Sequence, residues 1–362
     1  MLTFAIFTNM KEYPIAIMLV RKISVRWIVV YIIFFASVWG LAFGFADAYD
    51  YHSNLDVLTY TALARGDLDE SPIRRYRIVV PALAGTVYRV LGPFLERVQP
   101  KEFPGDFPLI FSFVLVNSLL MAGYFTLLMR LCLHFLEDGE RAFTWALMGV
   151  MGVLTCRWTL LLAGSALVDS LLMIAIVLMV GGVLMDRHRW LVWALYIGLW
   201  AKESFVFYLP LVLFYRGRKW PLLGHLVVAG VTVLAFRLWL DSQIGAAPME
   251  SVHADVEHIF NVGLALSRLF SFHGLYEVLS IGGVWNVFLF WALSQRERWA
   301  LLVPGRGGFW AVFFAAVVVQ MLLSTELSRM LYMTTPWYGI VLARIFSALG
   351  ARGVFDFIPS SR

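Results

Sequence analysis

Apolar runs of about 20 residues recur along almost the whole chain, and such a run covers the roughly 30 Å of hydrocarbon in a bilayer. Inside that layer every backbone polar group must be hydrogen-bonded within the protein, which favours helices. Sixty per cent of the 362 residues are hydrophobic and 15% are charged, and the mean hydropathy is +0.77. The sequence therefore predicts an all-α, polytopic transmembrane helical bundle, with residues 1–362 forming one integral membrane domain.

The apolar runs predict about ten spans, with both termini in the cytoplasm. The spans are expected at 27–45, 108–132, 142–160, 164–185, 191–201, 203–215, 220–240, 275–294, 307–323 and 330–347. Arg21, Lys22 and Arg26 precede the first span and place the N-terminus inside. The short turns that are then cytoplasmic all carry arginine or lysine, as the positive-inside rule requires: 133–141, 186–190, 216–219 and 295–306.

Two long polar segments are then expected on the outer face, at 46–107 and 241–274. The first has acidic residues followed by basic ones: Asp47, Asp50, Asp56, Asp67, Asp69 and Glu70, then Arg74, Arg75 and Arg77. That order suits a site that activates one reactant and holds an anionic one. The net charge of +5 is spread over short loops, which indicates topology rather than nucleic-acid binding. Cys132 and Cys156 lie in or beside apolar runs, so no disulfide framework is expected.

The first outer loop has its own periodicity. Asp56, Tyr60 and Ala64 recur every four residues and share one face of a predicted amphipathic surface helix. A second segment is expected to begin at Ser71-Pro72 and to lie in the membrane plane, with its basic end facing lipid headgroups. Its three arginines either anchor that surface helix or bind a specific anion, and the second interpretation is favoured.

Residues 191–215 lie between two basic turns, yet 25 residues are too few for two full crossings. We expect two short helices that meet within the membrane, with Lys202 and Glu203 lining a polar cavity. The alternative is one long tilted helix in which the two charges neutralise each other.

Other charged residues are also predicted at membrane depth, where an ionisable side chain needs a partner or a function. Arg157 and Asp169 are expected either to form a structural ion pair across a helical hairpin or to serve function. Glu326 and Arg329 stand three residues apart on one helical face, either as a helix-end pair or with Arg329 holding a phosphate.

Several short patterns occur together in this chain. They are an acidic residue after the first span, a helix reading Asp56-x-x-x-Tyr60-x-x-x-Ala64, the stretch Tyr76-Arg77-Ile78-Val79-Val80-Pro81, the helix pair around Ala201-Lys202-Glu203, and Ser328-Arg329 before a late span. Together they resemble bacterial members of the GT-C superfamily, integral membrane glycosyltransferases that use polyprenyl-phosphate-linked sugar donors. The resemblance implies a multi-pass protein of the bacterial inner (cytoplasmic) membrane that acts at its outer face.

The resemblance also implies roles for residues. An outer-loop aspartate would be the general base, with Asp50 and Asp56 the first candidates and Asp47 the next. Arginine and lysine would bind the lipid phosphate, and the candidates are Arg329, Lys202, Arg74, Arg75 and Arg77, with Tyr60 and Glu203 completing the substrate-binding set. A divalent metal is allowed but not required. The acceptor stays open between glycan, lipid and protein, because no adjacent Asp-Glu pair ends the first span.

Two other functions are compatible with the pattern. A secondary transporter or a flippase for lipid-linked glycans would account equally well for charges and a broken helix inside the membrane. A polysaccharide polymerase or ligase would use a similar carrier, but its large loop is expected later in the chain.

Overall fold

The computed structural model describes residues 14–49, 51, 54–71, 74–100, 103, 106–137, 139–246, 261–324 and 326–351, with side chains from residue 25 onward. Within these ranges the chain is helical and contains no strand. The all-α expectation is therefore confirmed for the part of the chain that is described.

The described residues form sixteen α-helices. The first eight are α1 (Pro14–Ala48), α2 (Leu55–Arg65), α3 (Val79–Leu95), α4 (Phe107–His134), α5 (Ala142–Leu154), α6 (Arg157–Gly164), α7 (Asp169–Leu184) and α8 (His188–Ala201). A long 3₁₀ helix follows at Glu203–Phe214. The remaining eight are α9 (Trp220–Ile244), α10 (Asn261–Leu269), α11 (Phe272–Ser280), α12 (Asn286–Leu293), α13 (Trp299–Leu302), α14 (Gly307–Ser324), α15 (Leu327–Leu331) and α16 (Thr335–Ala351).

Fewer helices than expected are long enough to cross a bilayer. Among the described residues, four pass by length and composition, namely Val25–Ala48, Phe107–His134, Trp220–Ile244 and Gly307–Ser324. The number rises to six if two bent helix pairs each count as one span: α5 with α6, bent by 68°, and α11 with Gly283–Leu293, bent by 87°. The expected ten spans are therefore not confirmed.

The two bends have local causes. The expected span 142–160 breaks at Cys156, whose backbone is extended (φ −63°, ψ 141°), and α6 then begins at Arg157. The expected span 275–294 breaks at Gly283, whose φ of +50° is left-handed and suits glycine. A continuous apolar run therefore did not indicate a continuous helix at either place.

The helices differ sharply in burial. In α4 about two thirds of the most apolar window is inside the protein (67%), whereas the corresponding value for α9 is 11%. Phe113, Tyr124 and Phe125 of α4 are fully buried, and α4 packs against α1, α3 and α7. Val227 and Trp239 of α9 are exposed. Apolar side chains that face outward along a long helix are consistent with a lipid-facing surface.

The segment 191–215 forms a hairpin with its turn at Lys202. Lys202 has an extended backbone (φ −164°, ψ 139°) between α8 and the long 3₁₀ helix. The two ends of the hairpin that are farthest from the turn lie close together. The ring centres of His188 and Tyr215 are 6.2 Å apart, and the backbone N–H of Arg216 donates to Asp186 Oδ1 at 3.2 Å. The expected pair of short helices is confirmed, and a single tilted helix is excluded.

The bundle has two chemically distinct ends. Arg306 donates to Asp186 Oδ2 at 3.0 Å, and Gly305 lies beside Phe135. The basic turns at 186–190 and 295–306 thus meet the end of α4, and we call this the turn end. Lys202, Asp106 and the α2 helix lie at the opposite end, which we call the loop end. The separation matches the expected distribution of charge, and the cytoplasmic placement of the turn end and of both termini stays a prediction.

Candidate functional site

A cavity of about 420 Å³ opens at the loop end. Its charged lining comes from three distant parts of the chain: Asp56, Arg74 and Arg77; Lys202 and Glu203; Glu326 and Arg329. Val206, Phe207, Leu323 and Met330 supply an apolar side. The cavity thus offers both ionic and hydrophobic surface to a single ligand.

Helix α2 carries Asp56 and Tyr60 into this region. Its N-terminus is capped by Asn54, whose Oδ1 accepts from the backbone N–H of Asp56 at 2.9 Å. Tyr60 is fully buried, while Leu55 is 70% exposed. The predicted helix and the shared face of Asp56, Tyr60 and Ala64 are confirmed. The face with Asp56 points inward together with apolar residues such as Leu63, while Leu55 and Leu58 point outward.

A close approach holds α2 against α3. A Cβ atom added to Gly85 of α3 would lie 2.3 Å from the carbonyl oxygen of Ala64, so only glycine fits at this crossing. The contact fixes how closely α2 and α3 pack.

Arg329 lies at the centre of the charge network and is only 3% exposed. Its Nη1 donates to Asp56 Oδ2 at 2.8 Å and to Glu326 Oε2 at 2.7 Å. Its Nε donates to Asp169 Oδ2 at 3.1 Å, and its Nη2 donates to the same oxygen. One guanidinium therefore joins α2, α7 and the segment around α15, which suits its rigid, multiply donating fork.

Asp169 is fully buried beneath the cavity. Its Oδ1 accepts from Lys202 Nζ at 3.0 Å, and its other oxygen is bound by Arg329. The proposed Arg157–Asp169 pair is therefore wrong, and Arg157 is exposed. The bend between α5 and α6 puts Arg157 at the start of a separate helix instead of at the end of a straight span.

The arginines of the outer loop turn inward. Arg77 binds Glu203 with two donors, one of them Nε at 3.1 Å, and its Nη1 donates to Tyr60 Oη at 3.0 Å. Arg74 Nε donates to Asp56 Oδ1. Arg75 is buried as well (3% exposed). The expectation that this basic segment faces lipid headgroups is wrong, because the carboxylates of the site compete successfully for it.

The second loop helix begins later than expected. Helix α3 starts at Val79, with Pro81 in its first turn, and Pro72 lies outside the described residues. The carbonyl oxygen of Ser71 accepts from the backbone N–H groups of Arg74 and Arg75 at 2.9 and 3.0 Å. The predicted start at Ser71-Pro72 falls partly outside the described residues, and the α-helix that follows begins at Val79.

The network contains equal numbers of basic and acidic side chains: Arg74, Arg77, Lys202 and Arg329 against Asp56, Asp169, Glu203 and Glu326. Burial alone would raise the pKa of Asp56, but Arg329 and Arg74 outweigh it and hold that pKa well below its ordinary value. Burial raises the pKa of Tyr60 to about 12. In this state Asp56 is ionised and Tyr60 is neutral at physiological pH.

The three candidate bases have separate fates. Asp56 lines the cavity, with 14% of its side chain exposed. Asp47 is exposed at the end of α1 and does not line the cavity. Asp50 lies outside the described residues. Of the predicted substrate-binding residues, all but Arg75 and Tyr60 line the cavity. Tyr60 accepts a hydrogen bond from Arg77, which does line it.

Sequence reasoning missed the role of Asp169 and the presence of Gln320 in the cavity wall. Asp169 had a usable signal, since it is a carboxylate at membrane depth, but its partners could not be read from spacing. The Glu326–Arg329 contact was expected and is confirmed. No group of three or more His, Cys, Asp or Glu side chains placed to hold a metal ion occurs in the described part of the chain.

Comparisons of the chain with protein-family models, with curated proteins and with solved structures give no match. Function therefore has to be inferred from the cavity and the chemistry of its lining residues.

Proposed function

We propose that this protein is a GT-C type glycosyltransferase that moves a sugar from a polyprenyl-phosphate carrier to an acceptor hydroxyl. The observation that carries the proposal is the position of Arg329 in a cavity with one charged and one apolar side. A lipid-linked phosphate needs both surfaces, since its headgroup is anionic and its chain is hydrocarbon. We place this activity at the outer face of the bacterial cytoplasmic membrane.

In this proposal the carrier phosphate binds by exchange. All four cations of the network already have carboxylate partners, so a phosphate must replace one of them. Glu326 is the natural one to leave, because 45% of its side chain is already exposed and water can hydrate its carboxylate once the ion pair with Arg329 is broken. The phosphate would then accept hydrogen bonds from Arg329, with Lys202 and Arg74 nearby, in the bidentate manner that guanidinium favours.

The chemical step would use Asp56 as general base. Asp56 takes the proton of the acceptor hydroxyl as its oxygen forms a bond to the anomeric carbon. The bond from that carbon to the phosphate oxygen breaks, and polyprenyl phosphate leaves with the bonding electrons. Arg329 and Lys202 stabilise the charge that builds up on the leaving phosphate.

The resting state holds Asp56 in a form unsuited to proton transfer, because its pKa is depressed by Arg329 and Arg74. Donor binding would draw these arginines toward the phosphate and allow the pKa of Asp56 to rise toward its ordinary value. The proposed order is therefore donor first and acceptor second.

The direct test measures polyprenyl-phosphate binding to the purified protein. Arg329→Lys keeps a charge but loses the fork of the guanidinium, and Arg74→Gln removes a partly exposed cation, so both changes leave the fold intact in this design. Weaker carrier binding in both variants, beside unchanged binding in Arg65→Gln, would support the proposal. Arg65 is the matched control, because it pairs with Asp106 at 2.6 Å on the same loop and does not line the cavity. Equal binding in all the proteins would refute it.

A secondary transporter or lipid flippase is the second candidate, and the hairpin broken at Lys202 favours it. Broken helices with charged residues at the break are a feature of transporter binding sites. Liposomes that hold the purified protein and a fluorescent polyprenyl-phosphate analogue in one leaflet distinguish the two functions. Analogue movement that stops in a Lys202→Met variant would favour transport, and release of free carrier from a glycosylated donor would favour transfer.

A further inference from the structure

A second cavity, of about 670 Å³, lies at the turn end. No residue at this end has a role in the proposed function. Its positive charge comes from Arg130 near the end of α4 and from Arg187 and Arg189 at the start of α8, and its lining also includes Asp186 and His188. Trp27 and Trp190 supply aromatic surface. We call this cavity the basic cleft.

The arginines of the basic cleft have no carboxylate partner among the described residues. Asp186, the acidic residue of the lining, instead accepts hydrogen bonds from Arg306 and from the backbone N–H of Arg216. Arg130 has a buried Nε for which no described residue accepts a hydrogen bond. Its guanidinium carbon lies 4.4 Å from the centre of the Trp27 ring, so the charge is held in place by the aromatic face.

The backbone adds to this positive potential. Helix α8 has 14 residues and begins at His188. The preceding N-cap residue, Arg187, makes no side-chain capping hydrogen bond. The free N–H groups and the dipole of a helix N-terminus favour an anion. The helix end, the orphaned Arg130 Nε and the two exposed arginines all lie on one cleft and require the same kind of ligand.

The aromatic residues show which anion fits. Trp27 lies near the start of the apolar helix segment Val25–Ala48, and tryptophan is characteristic of the headgroup level of a bilayer. Trp190 packs on Gly181, where an added Cβ would be 2.6 Å from its ring. Leu133 and Met185 add apolar atoms to the lining. An anion that also carries hydrocarbon suits this surface better than free phosphate does.

We infer that the basic cleft binds the headgroup of an anionic phospholipid, with the phosphate between Arg130 and the start of α8 and the acyl chains along Trp27. Basic pockets between membrane helices bind anionic lipids in this way. The inference does not depend on the proposed glycosyl transfer, since it concerns the other end of the bundle.

The test is native mass spectrometry of the full chain after equilibration with equal amounts of phosphatidylglycerol and phosphatidylcholine. We expect the wild type to retain phosphatidylglycerol selectively. Each basic residue near the headgroups contributes about fivefold in affinity, so Arg187→Gln/Arg189→Gln should weaken retention about 25-fold. Both side chains are exposed, and folding is not at stake. Arg130→Gln should also weaken it, and Arg130→Lys should restore part of the loss.

The matched control is Arg218→Gln/Arg296→Gln, which removes the same charge from exposed basic positions on other turns that do not line the cleft. Retention in this control and in Arg329→Lys, with loss in the cleft variants, supports the inference and separates it from the loop-end site. Equal loss in the control would show a diffuse charge effect and overturn it. No preference for phosphatidylglycerol, or displacement of the lipid by millimolar inorganic phosphate, would overturn it as well.

Discussion

The two cavities of this protein use charge in opposite ways. At the loop end, four cations and four carboxylates neutralise one another, and Arg329 and Asp169 are almost completely buried. At the turn end, Arg130, Arg187 and Arg189 have no acidic partner among the described residues. A paired buried network can bind an anion only by exchange, which favours selectivity. A cleft whose arginines have no acidic partner attracts anions without first breaking an ion pair.

The largest expected effect breaks the paired network. Arg329→Ala should lower the free energy of unfolding by about 3–5 kcal/mol, because it leaves the buried Asp169 with Lys202 alone. Adding Asp169→Asn should recover a large part of that loss, since the unpaired charge is removed. Thermal or denaturant unfolding in detergent measures both. The exposed pair is the control, and Arg65→Ala should cost less than about 1 kcal/mol. Similar losses in Arg329→Ala and Arg65→Ala would contradict a buried network.

The next effect concerns activity and separates the two cavities by function. Asp56→Asn should reduce sugar transfer at least about 100-fold, because the amide cannot accept the proton of the acceptor. The assay follows release of free carrier from a glycosylated polyprenyl-phosphate donor in membranes. Asp67→Asn, exposed on the same loop, should transfer normally. Normal transfer by Asp56→Asn with loss in Asp50→Asn would assign the base to Asp50.

A smaller effect comes from salt and compares the two cavities directly. The screening length falls from about 10 Å at 0.1 M to about 3 Å at 1 M, and buried pairs are screened much less than exposed charges. Raising the salt concentration should therefore weaken lipid retention at the basic cleft several-fold and change carrier binding at the loop end less. Parallel titrations of both ligands on the same preparation measure this. Identical salt dependence at the two ends would contradict the proposed difference.

The smallest effect is a pH dependence that arises from Asp56. Its pKa is depressed in the folded protein, so its ion pairs stabilise the fold above the ordinary aspartate pKa of about 3.9. That stability is lost as the pH falls through and below this value. The difference in melting temperature between wild type and Asp56→Asn should therefore shrink between pH 6 and pH 3. Asp67→Asn supplies the baseline, and a constant difference for Asp56→Asn would argue against the ion pairs.

Local pattern was sufficient for several features of the fold. The four-residue spacing of Asp56, Tyr60 and Ala64 indicated a helix with a shared face, and this helix is present. The basic turns on both sides of 191–215 favoured a hairpin over a single tilted helix, because positive charge at both ends places both ends on the same side of the membrane. The breaks near Gly283 and Cys156 were not foreseen, since hydropathy averages over the few residues where a backbone bends.

The sequence did not predict which charged side chains form ion pairs with one another. Asp56 and Asp169 lie 273 and 160 residues before Arg329, and no periodicity links positions so far apart. Arg157 is nearer to Asp169 in the sequence and was therefore a reasonable partner for it. The bend between α5 and α6 places Arg157 away from Asp169. The inward orientation of Arg74 and Arg77 could not be predicted for the same reason. The sequence alone does not show whether an arginine faces lipid headgroups or a carboxylate that is distant in the chain.

The sequence by itself determined a helical protein rich in membrane-length apolar segments, with a polar loop of ordered charge and basic turns, because these properties follow from composition and from short-range spacing. The tertiary structure alone decided that Arg329 binds three carboxylates and that the loop arginines face inward. It also decided that three arginines at the other end have no acidic partner among the described residues. Each of these outcomes is set by the packing of helices distant in the chain, and ion pairs follow distance in space instead of distance in sequence.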